Sequence, residues 1–217
     1  MSDPRPRLFL VTPVLDDPAA FTPSLAAACG AGDVAAVLLR LAPADERTLV
    51  NGVKALVPAA QAAGAAVVVS AAGEHDSSAV AARGGADGVH ATVPADWAAL
   101  RGRSRDGRIL GAGGLKTRDD AMRAGEAGAD YVLFGEPRPD GYLPPFEDIL
   151  DRAEWWAEIF ETPCVVFAPS LDDVAAAAAT GAEFVALGDA VWGHPGGVTK
   201  AVALAMRALS HAAASSP

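Results

Sequence analysis

A single (β/α)8 TIM barrel is the fold this sequence predicts, and three observations predict it. One short phrase recurs: Gly85-Ala86-Asp87-Gly88-Val89-His90, then Gly128-Ala129-Asp130-Tyr131-Val132, then Gly181-Ala182-Glu183-Phe184-Val185. Each copy follows an Ala-rich stretch and opens into a short apolar run. Glycine stops the helix because it takes the left-handed cap conformation without a Cβ penalty. The acid falls in the turn, and the run that follows has no polar alternation, as expected of a parallel strand buried on both faces. The second observation is eight such apolar runs alternating with helical patterns over 217 residues, a length suited to one barrel. The third is that no Gly-x-Gly-x-x-Gly follows the first run, which sets a doubly wound sheet behind the barrel.

The strands are expected at Leu8–Thr12, Ala35–Leu41, Ala66–Ser70, Gly88–His90, Ile109–Gly111, Tyr131–Phe134, Cys164–Phe167 and Phe184–Leu187. Helical patterns between them include Glu46–Ala63, Thr117–Ala127, Asp148–Phe160 and Leu171–Thr180. Ser170, with Asp172 and Asp173 behind it, and Thr117, with Asp119 and Asp120 behind it, read as N-caps with acids at the positive end of the helix dipole. No linker or composition break divides the chain, so residues 1–217 form one domain, with an ordered barrel over 8–209 and a small polar tail, 210–217, expected to fray.

Hydrophobic residues make up 51% of the chain, and 17 basic against 27 acidic residues give a net charge of −10. That balance argues against nucleic acid or an anionic membrane as a partner, since both need a basic face. A small anionic ligand stays compatible with it, because one local pocket can oppose the global sign. Leu8–Val11 is too short for the apolar part of a secretory signal, and no run reaches a membrane span, so a cytoplasmic protein is expected. Cys29 and Cys164 are far apart without metal spacing and read as structural thiols. The neighbours Trp155 and Trp156 cannot both face the core fully, which leaves partial burial of both or a contact between copies of the chain.

In such a barrel, chemistry belongs at the C-terminal ends of the strands. Those positions hold Thr12, Arg40, Ser70 with Glu74, His75 and Asp76 beyond it, His90, Gly113 to Lys116, Glu136, Arg138, Ala168 to Ser170, Gly188 and Asp189. His90 ends a buried strand and is either a bonded core histidine or a functional one. Arg40 closes an otherwise apolar run and requires a carboxylate or a ligand phosphate.

With Arg40 ending the second strand, the phrases at Gly85–His90, Gly128–Gly135 and Gly181–Asp189 resemble the thiamine-phosphate synthases and the related thiazole tautomerases, in register from Leu8 to Val191. The resemblance implies a transfer in which hydroxymethylpyrimidine diphosphate loses diphosphate to Mg²⁺ and a thiazole phosphate captures the pyrimidine carbon. It implies Arg40 as a diphosphate ligand, although the family's neighbouring lysine is Ala42 here. It implies Asp76 and Asp96 as metal ligands. Counting back from His90 places Asp76 on the family's first metal aspartate and His75 beside it, whereas counting from the strand end places Ser70 and Ala71 there. The second metal position falls on Ala95, one residue before Asp96. Lys116 stands where the tautomerase has its proton-carrying histidine, after Gly113 and Gly114, and Arg138 is the cation left where the family has a Thr-x-Thr-Lys run.

The departure lies in the phosphate grip. Where the family presents bare amides after its seventh and eighth strands, this chain has Ala168-Pro169 and Gly188-Asp189. Proline has no N–H. A carboxylate ~4 Å from a phosphate costs on the order of 4 kcal/mol at an effective dielectric of 20, or ~10³-fold in affinity. The expected function is therefore a synthase-type transfer with Mg²⁺, with His90 and Lys116 as candidate catalytic groups. The alternatives are a catalytically degenerate barrel that binds a thiamine precursor or other small phosphorylated or heteroaromatic ligand, and a tautomerase-like activity through Lys116 or His90. The candidate substrate-binding residues are Arg40, Arg138, Gly113, Gly114, Gly188 and Asp189, and if the thiazole-phosphate site is lost, Asp189 is expected to be satisfied by Arg138 or Lys116 or by backbone N–H groups near Gly113-Gly114. Self-association is expected from the resemblance.

Overall fold

The structure is a computed structural model that describes residues 5–71, 76–103, 107–138 and 142–215. Eight parallel strands close on themselves in sequence order: β1 (Arg7–Leu15), β2 (Val34–Leu41), β3 (Ala66–Ala71), β4 (Gly88–Thr92), β5 (Ile109–Gly113), β6 (Tyr131–Phe134), β7 (Cys164–Phe167) and β8 (Phe184–Leu187). Around them run α1 (Pro18–Cys29), α2 (Glu46–Gln61), α3 (Ser77–Gly84), α4 (Trp97–Arg103), α5 (Arg118–Glu126), α6 (Phe146–Ile159), α7 (Val174–Ala178), α8 (Asp189–Trp192) and α9 (Val198–Ser215). The barrel predicted from the recurring phrase is the one observed.

Each part of that phrase has a physical task. Gly85, Gly128 and Gly181 all sit near φ +85°, the left-handed conformation in which a helix ends and the chain turns into the next strand. The acid then reaches sideways to an amide at the start of a neighbouring strand. Asp87 accepts from the Val67 amide at 2.7 Å, Asp130 from Leu110 at 2.7 Å and Glu183 from Cys164 at 2.9 Å. One phrase thus stops a helix, starts a strand and fixes that strand's register against its neighbour.

The strands alternate between two cores. Phe9, Val11, Leu38, Val68, Tyr131, Leu133, Val165, Phe167 and Ala186 fill the barrel interior. The other face of each strand packs, with Leu25, Val53, Leu56, Ile149, Trp156 and Val202 among others, into the layer beneath the helices. Because the side-chain period of a strand is two, Arg40 shares its face with Ala36 and Leu38 and stands at the upper rim of the interior. The lower end of the interior holds small residues such as Ala36 and Ala66, and an apolar cavity of about 230 Å³ opens there.

Local expectations hold unevenly. Thr117 caps α5 in a reciprocal box with Asp120. Ser170 does not cap α7. Its amide and hydroxyl both donate to Asp173 Oδ2, at 3.1 and 2.7 Å, and the helix starts only at Val174. The first turn expected as α-helix from Leu171 forms instead with tighter i→i+3 bonds, the Asp173 amide donating to the Ser170 carbonyl at 3.3 Å and the Val174 amide to the Leu171 carbonyl at 3.4 Å. Helix α9 continues to Ser215, through most of the segment expected to fray. Trp156 is wholly buried and donates to the Thr162 carbonyl, whereas Trp155 is half-buried beneath the Arg118 guanidinium. Cys29 and Cys164 are free and buried, with burial pushing their thiols up to about 11 and about 12. No helix among the described residues is long and apolar enough to cross a membrane.

Candidate functional site

The upper mouth of the barrel is organised by Arg40. Its Nε donates to the Thr12 carbonyl at 2.6 Å and a terminal nitrogen donates to the Pro137 carbonyl at 3.2 Å, while its own amide donates to Thr12 Oγ1 at 3.0 Å. The guanidinium therefore spans the mouth from β1 to the loop after β6. Burial lowers its pKa, and the carboxylates of Glu136 and Asp189 oppose that shift. A guanidinium stays ionised regardless, so the mouth holds one fixed cation facing two acids.

Beside it lies a buried polar row. His90, at the inner face of β4 and 2% exposed, has Nε2 at 2.8 Å from Glu136 Oε2 and Nδ1 at 2.8 Å from the Tyr131 hydroxyl. The room for this row comes from β5. A Cβ on Gly111 would stand 2.2 Å from the Tyr131 ring, and one on Gly113 would stand 2.3 Å from His90 Nε2 and 2.4 Å from Glu136 Oε1. Gly113, expected to touch substrate, thus has a packing task, and Gly114, at φ +64°, makes the turn that follows. Burial, and then the Glu136 charge, push the Tyr131 phenol well above its ordinary pKa, so it stays protonated.

Asp76 and Asp96 border one cleft of about 330 Å³ over β3 and β4, together with Ser70, His90, Thr92 and Arg103. Each also caps a helix, Asp76 Oδ1 accepting from the Ser78 amide at 2.9 Å and Asp96 Oδ1 from Ala99 at 3.0 Å. The second oxygen of Asp76 lies 3.5 Å from Arg103. Two hard carboxylates on a shared cleft suit Mg²⁺ completed by water and substrate phosphate. No cluster of three or more His, Cys, Asp or Glu able to hold a metal occurs among the described residues. His75 and Glu74, which precede Asp76, lie outside the described residues, as do residues 139–141.

The remaining expected residues are not gathered with these. Lys116 is exposed and lines a separate cleft with Pro94, Asp120 and Arg123. The Arg138 guanidinium covers the Tyr142 ring at 4.6 Å. Neither ion-pairs with Asp189 as expected. That carboxylate is exposed at the start of α8, next to buried Gly188, and the cation facing it is Arg40. At the seventh loop, the Ala168 amide is used by the Ala186 carbonyl at 2.9 Å, Pro169 has none, and the Ser170 amide is bound to Asp173 at 3.1 Å.

A family model described as "Thiamine monophosphate synthase" matches residues 8–191. The chain belongs to this family. Among the relatives, the thiamine-phosphate synthase of Rhodospirillum centenum is 39% identical over 200 residues, covering 91% of this chain and 94% of that one. The thiamine-phosphate synthase of Hyphomonas neptunium is 37% identical over 213 residues, covering 92% and 91%. The solved thiamine phosphate pyrophosphorylase of Pyrococcus furiosus has a similar fold, with a TM-score of 0.75, 21% identity, and coverage of 95% and 96%.

Within the family's barrel, sequence reasoning places Arg40 and His90 at the mouth and misses the weight of Tyr131, Glu136 and Arg103. Glu136 is visible as an acid close behind a fully apolar strand. The alternation Gly111-Ala112-Gly113 is the other signal, since two glycines on one face of a strand make space for something large.

Proposed function

We propose that this chain is a transferase of thiamine biosynthesis that joins a hydroxymethylpyrimidine diphosphate to a thiazole phosphate. The observation that carries the reading is the family match across the whole barrel, together with a fixed guanidinium at its mouth. In the reaction the bond from the pyrimidine methylene carbon to the diphosphate oxygen breaks, and its electron pair leaves with the diphosphate. The thiazole nitrogen lone pair forms the new carbon–nitrogen bond, and no proton moves. The protein's contribution is positioning and charge compensation rather than a nucleophile.

Arg40 has spent two of its five N–H groups on the Thr12 and Pro137 carbonyls, which fixes its plane and leaves the others for diphosphate oxygens. Asp76 and Asp96 would hold Mg²⁺, and bound there it would neutralise the departing diphosphate. Arg103 stands on the same cleft as a second cation. The test is product formation from the two substrates, followed by mass spectrometry, with and without Mg²⁺. Thiamine phosphate formed only with the metal, and at least ~10²-fold slower in Asp76→Ala or Asp96→Ala, is the expected result. No product under any condition refutes the reading.

A second reading is favoured by the seventh and eighth loops. Their amides are absent or engaged at 168–170, and Asp189 adds an acceptor where a phosphate would sit. On that reading the barrel binds a precursor or other heteroaromatic molecule without transferring it. Stabilisation of the protein by unphosphorylated heterocycles, with indifference to every phosphorylated one, distinguishes it from the first. A tautomerase-like step through Lys116 has less support, because that side chain faces a different cleft from His90.

A further inference from the structure

The first strand is irregular where it reaches the mouth. Val11 pairs with Leu38 and Val14 with Arg40, so Thr12 and Pro13 together face the single residue Leu39. Two residues against one make a β-bulge, and a bulge at a barrel rim re-aims the groups it carries. The change of phase shows in the packing. Leu8 and Leu10 lie beneath the helices, and so does Leu15, which an unbroken alternation would turn to the other face. Pro13 fits such a place, since proline has no N–H to give a ladder and within sheets is kept to edges and bulges.

Bonds on either side pin the bulge. Below it the Trp192 indole, on α8, donates to the Val11 carbonyl at 2.7 Å, with the Phe21 ring set against the indole at 4.8 Å between centroids. Above it the Ala42 amide donates to the Leu15 carbonyl at 3.0 Å. In an unbroken ladder the Arg40 amide would face the Thr12 carbonyl. Here that amide donates to Thr12 Oγ1 at 3.0 Å, and the carbonyl accepts from Arg40 Nε at 2.6 Å. One wholly buried residue thus holds Arg40 twice, by its side chain and by its backbone.

The tether also decides where the cation's charge goes. Glu136 and Asp189 are the carboxylates whose charges act on Arg40, but among the described residues its hydrogen bonds go to the neutral carbonyls of Thr12 and Pro137. A guanidinium held by carbonyls keeps its full charge and its remaining N–H groups for a ligand.

We propose that Thr12 is a positioning residue: the bulge it forms with Pro13, pinned by Trp192, sets the plane of the Arg40 guanidinium and holds it away from Glu136 and Asp189, free for an anion. This deepens the proposed function and rests on its reading that Arg40 meets a substrate anion in this mouth.

Two measurements on the intact protein test it. Hydrogen exchange of the Arg40 Nε–H, followed by NMR, reports the bond to the Thr12 carbonyl without any ligand. Calorimetric titration with inorganic pyrophosphate and Mg²⁺ reports the affinity for an anion. Thr12→Val keeps the side-chain shape and removes the hydroxyl, whereas Thr12→Ser keeps the hydroxyl. In Thr12→Val the Nε–H exchanges at least ~fivefold faster relative to the slowest backbone amides, and pyrophosphate affinity falls at least ~fivefold, the scale of one neutral hydrogen bond. Thr12→Ser returns both towards wild type. A threonine with a purely structural task would lower the melting temperature and speed all exchange alike, with affinity unchanged.

Nε–H exchange that tracks the backbone amides in Thr12→Val overturns the proposal. So does pyrophosphate affinity in that variant equal to a measurable wild-type value. If Thr12→Val does not fold, Trp192→Phe carries the test, because it removes the donor to the Val11 carbonyl and loosens the same bulge. Both effects then appear with the same sign, and the absence of either overturns the proposal. The transferase reading is separable. Pyrophosphate ignored by wild type, with the Arg40 Nε–H protected there and released in Thr12→Val, removes the diphosphate reading of the mouth and upholds the positioning of Arg40. Thiamine phosphate formed equally fast by wild type and Thr12→Val, at equal pyrophosphate affinity, removes only the positioning role.

Discussion

Replacing Gly113 by alanine tests whether the His90–Glu136 pair is held in place by the absence of one methyl group. Gly113 is not a positive-φ glycine, so the backbone accepts alanine and the effect is purely steric. The new Cβ would fall 2.3 Å from His90 Nε2, 2.4 Å from Glu136 Oε1 and 2.7 Å from Glu136 Cδ. Ordinary contact needs ~3.5 Å, so both groups must retreat by about 1 Å. Overpacking of that kind costs ~1–3 kcal/mol. Loss of a hydrogen bond to a charged group adds ~1.5–3 kcal/mol. The sum, ~2.5–6 kcal/mol, corresponds to a fall in Tm of roughly 5–24 °C for a chain of this size. Thermal unfolding followed by circular dichroism measures it. Gly102→Ala is the control, because Gly102 lies in α4 and a Cβ placed there would meet nothing within 4 Å. That variant gains ~0.5–1 kcal/mol from helix propensity alone. The clash partner is tested by combining Gly113→Ala with Glu136→Ala, whose costs should fall short of additivity. A Tm for Gly113→Ala within ~2 °C of wild type, about 1 kcal/mol or less, refutes the reasoning.

Three further expectations follow from particular contacts. Asp130→Ala strands the Leu110 amide at the start of β5 and should cost ~1–3 kcal/mol in denaturant unfolding, while Asp130→Asn, which keeps an acceptor oxygen, should recover most of it; equal losses would deny the strand-pinning task. Asp189→Ser combined with Pro169→Gly removes a repulsion and restores one amide at the phosphate corner, so calorimetry should record a gain of at least ~tenfold in affinity for a thiazole phosphate, well inside the ~10³-fold cost of the juxtaposed charge. Tight binding by wild type, unchanged in the double variant, would contradict that account of the two loops. Burial disfavours ionisation of Asp120, but hydrogen bonds from Thr117 and Lys116 outweigh it and hold the carboxyl below the usual carboxylate range. Its stabilisation is therefore complete above the unfolded value of ~3.9 and is lost as pH falls through the lower folded value, so the stability difference between wild type and Asp120→Asn should vanish in acid and persist at neutrality.

The fold is legible because its signal is local and repeated: a glycine that must take positive φ, an acid, and an apolar run. The acid's target is not legible, since the amides of Val67, Leu110 and Cys164 lie 19 or 20 residues away in sequence and become neighbours only when the strands align. The same limit explains the late start of α7. Asp173 looks like a first-turn acid in sequence, but its carboxylate reaches back to the Ser170 amide and hydroxyl, and the chain there makes i→i+3 turn bonds rather than the first α-helical turn. At the site, Arg40 and His90 declare themselves as polar groups ending apolar strands. Glu136 shows in sequence only as an acid close behind an apolar strand, and the inward-facing Gly111 and Gly113 add the hint that β5 leaves space for a buried carboxylate. In sequence Asp189 has Arg138 or Lys116 as its expected partner, whereas Arg40 faces it in the fold. These differences share a cause. Glu136, Asp189 and Arg40 follow or end three separate strands and meet only at the mouth, so the charge balance that decides what the barrel admits is set by closure of the sheet. That balance, one guanidinium tied to carbonyls between two carboxylates, is where specificity within this family fold should be sought.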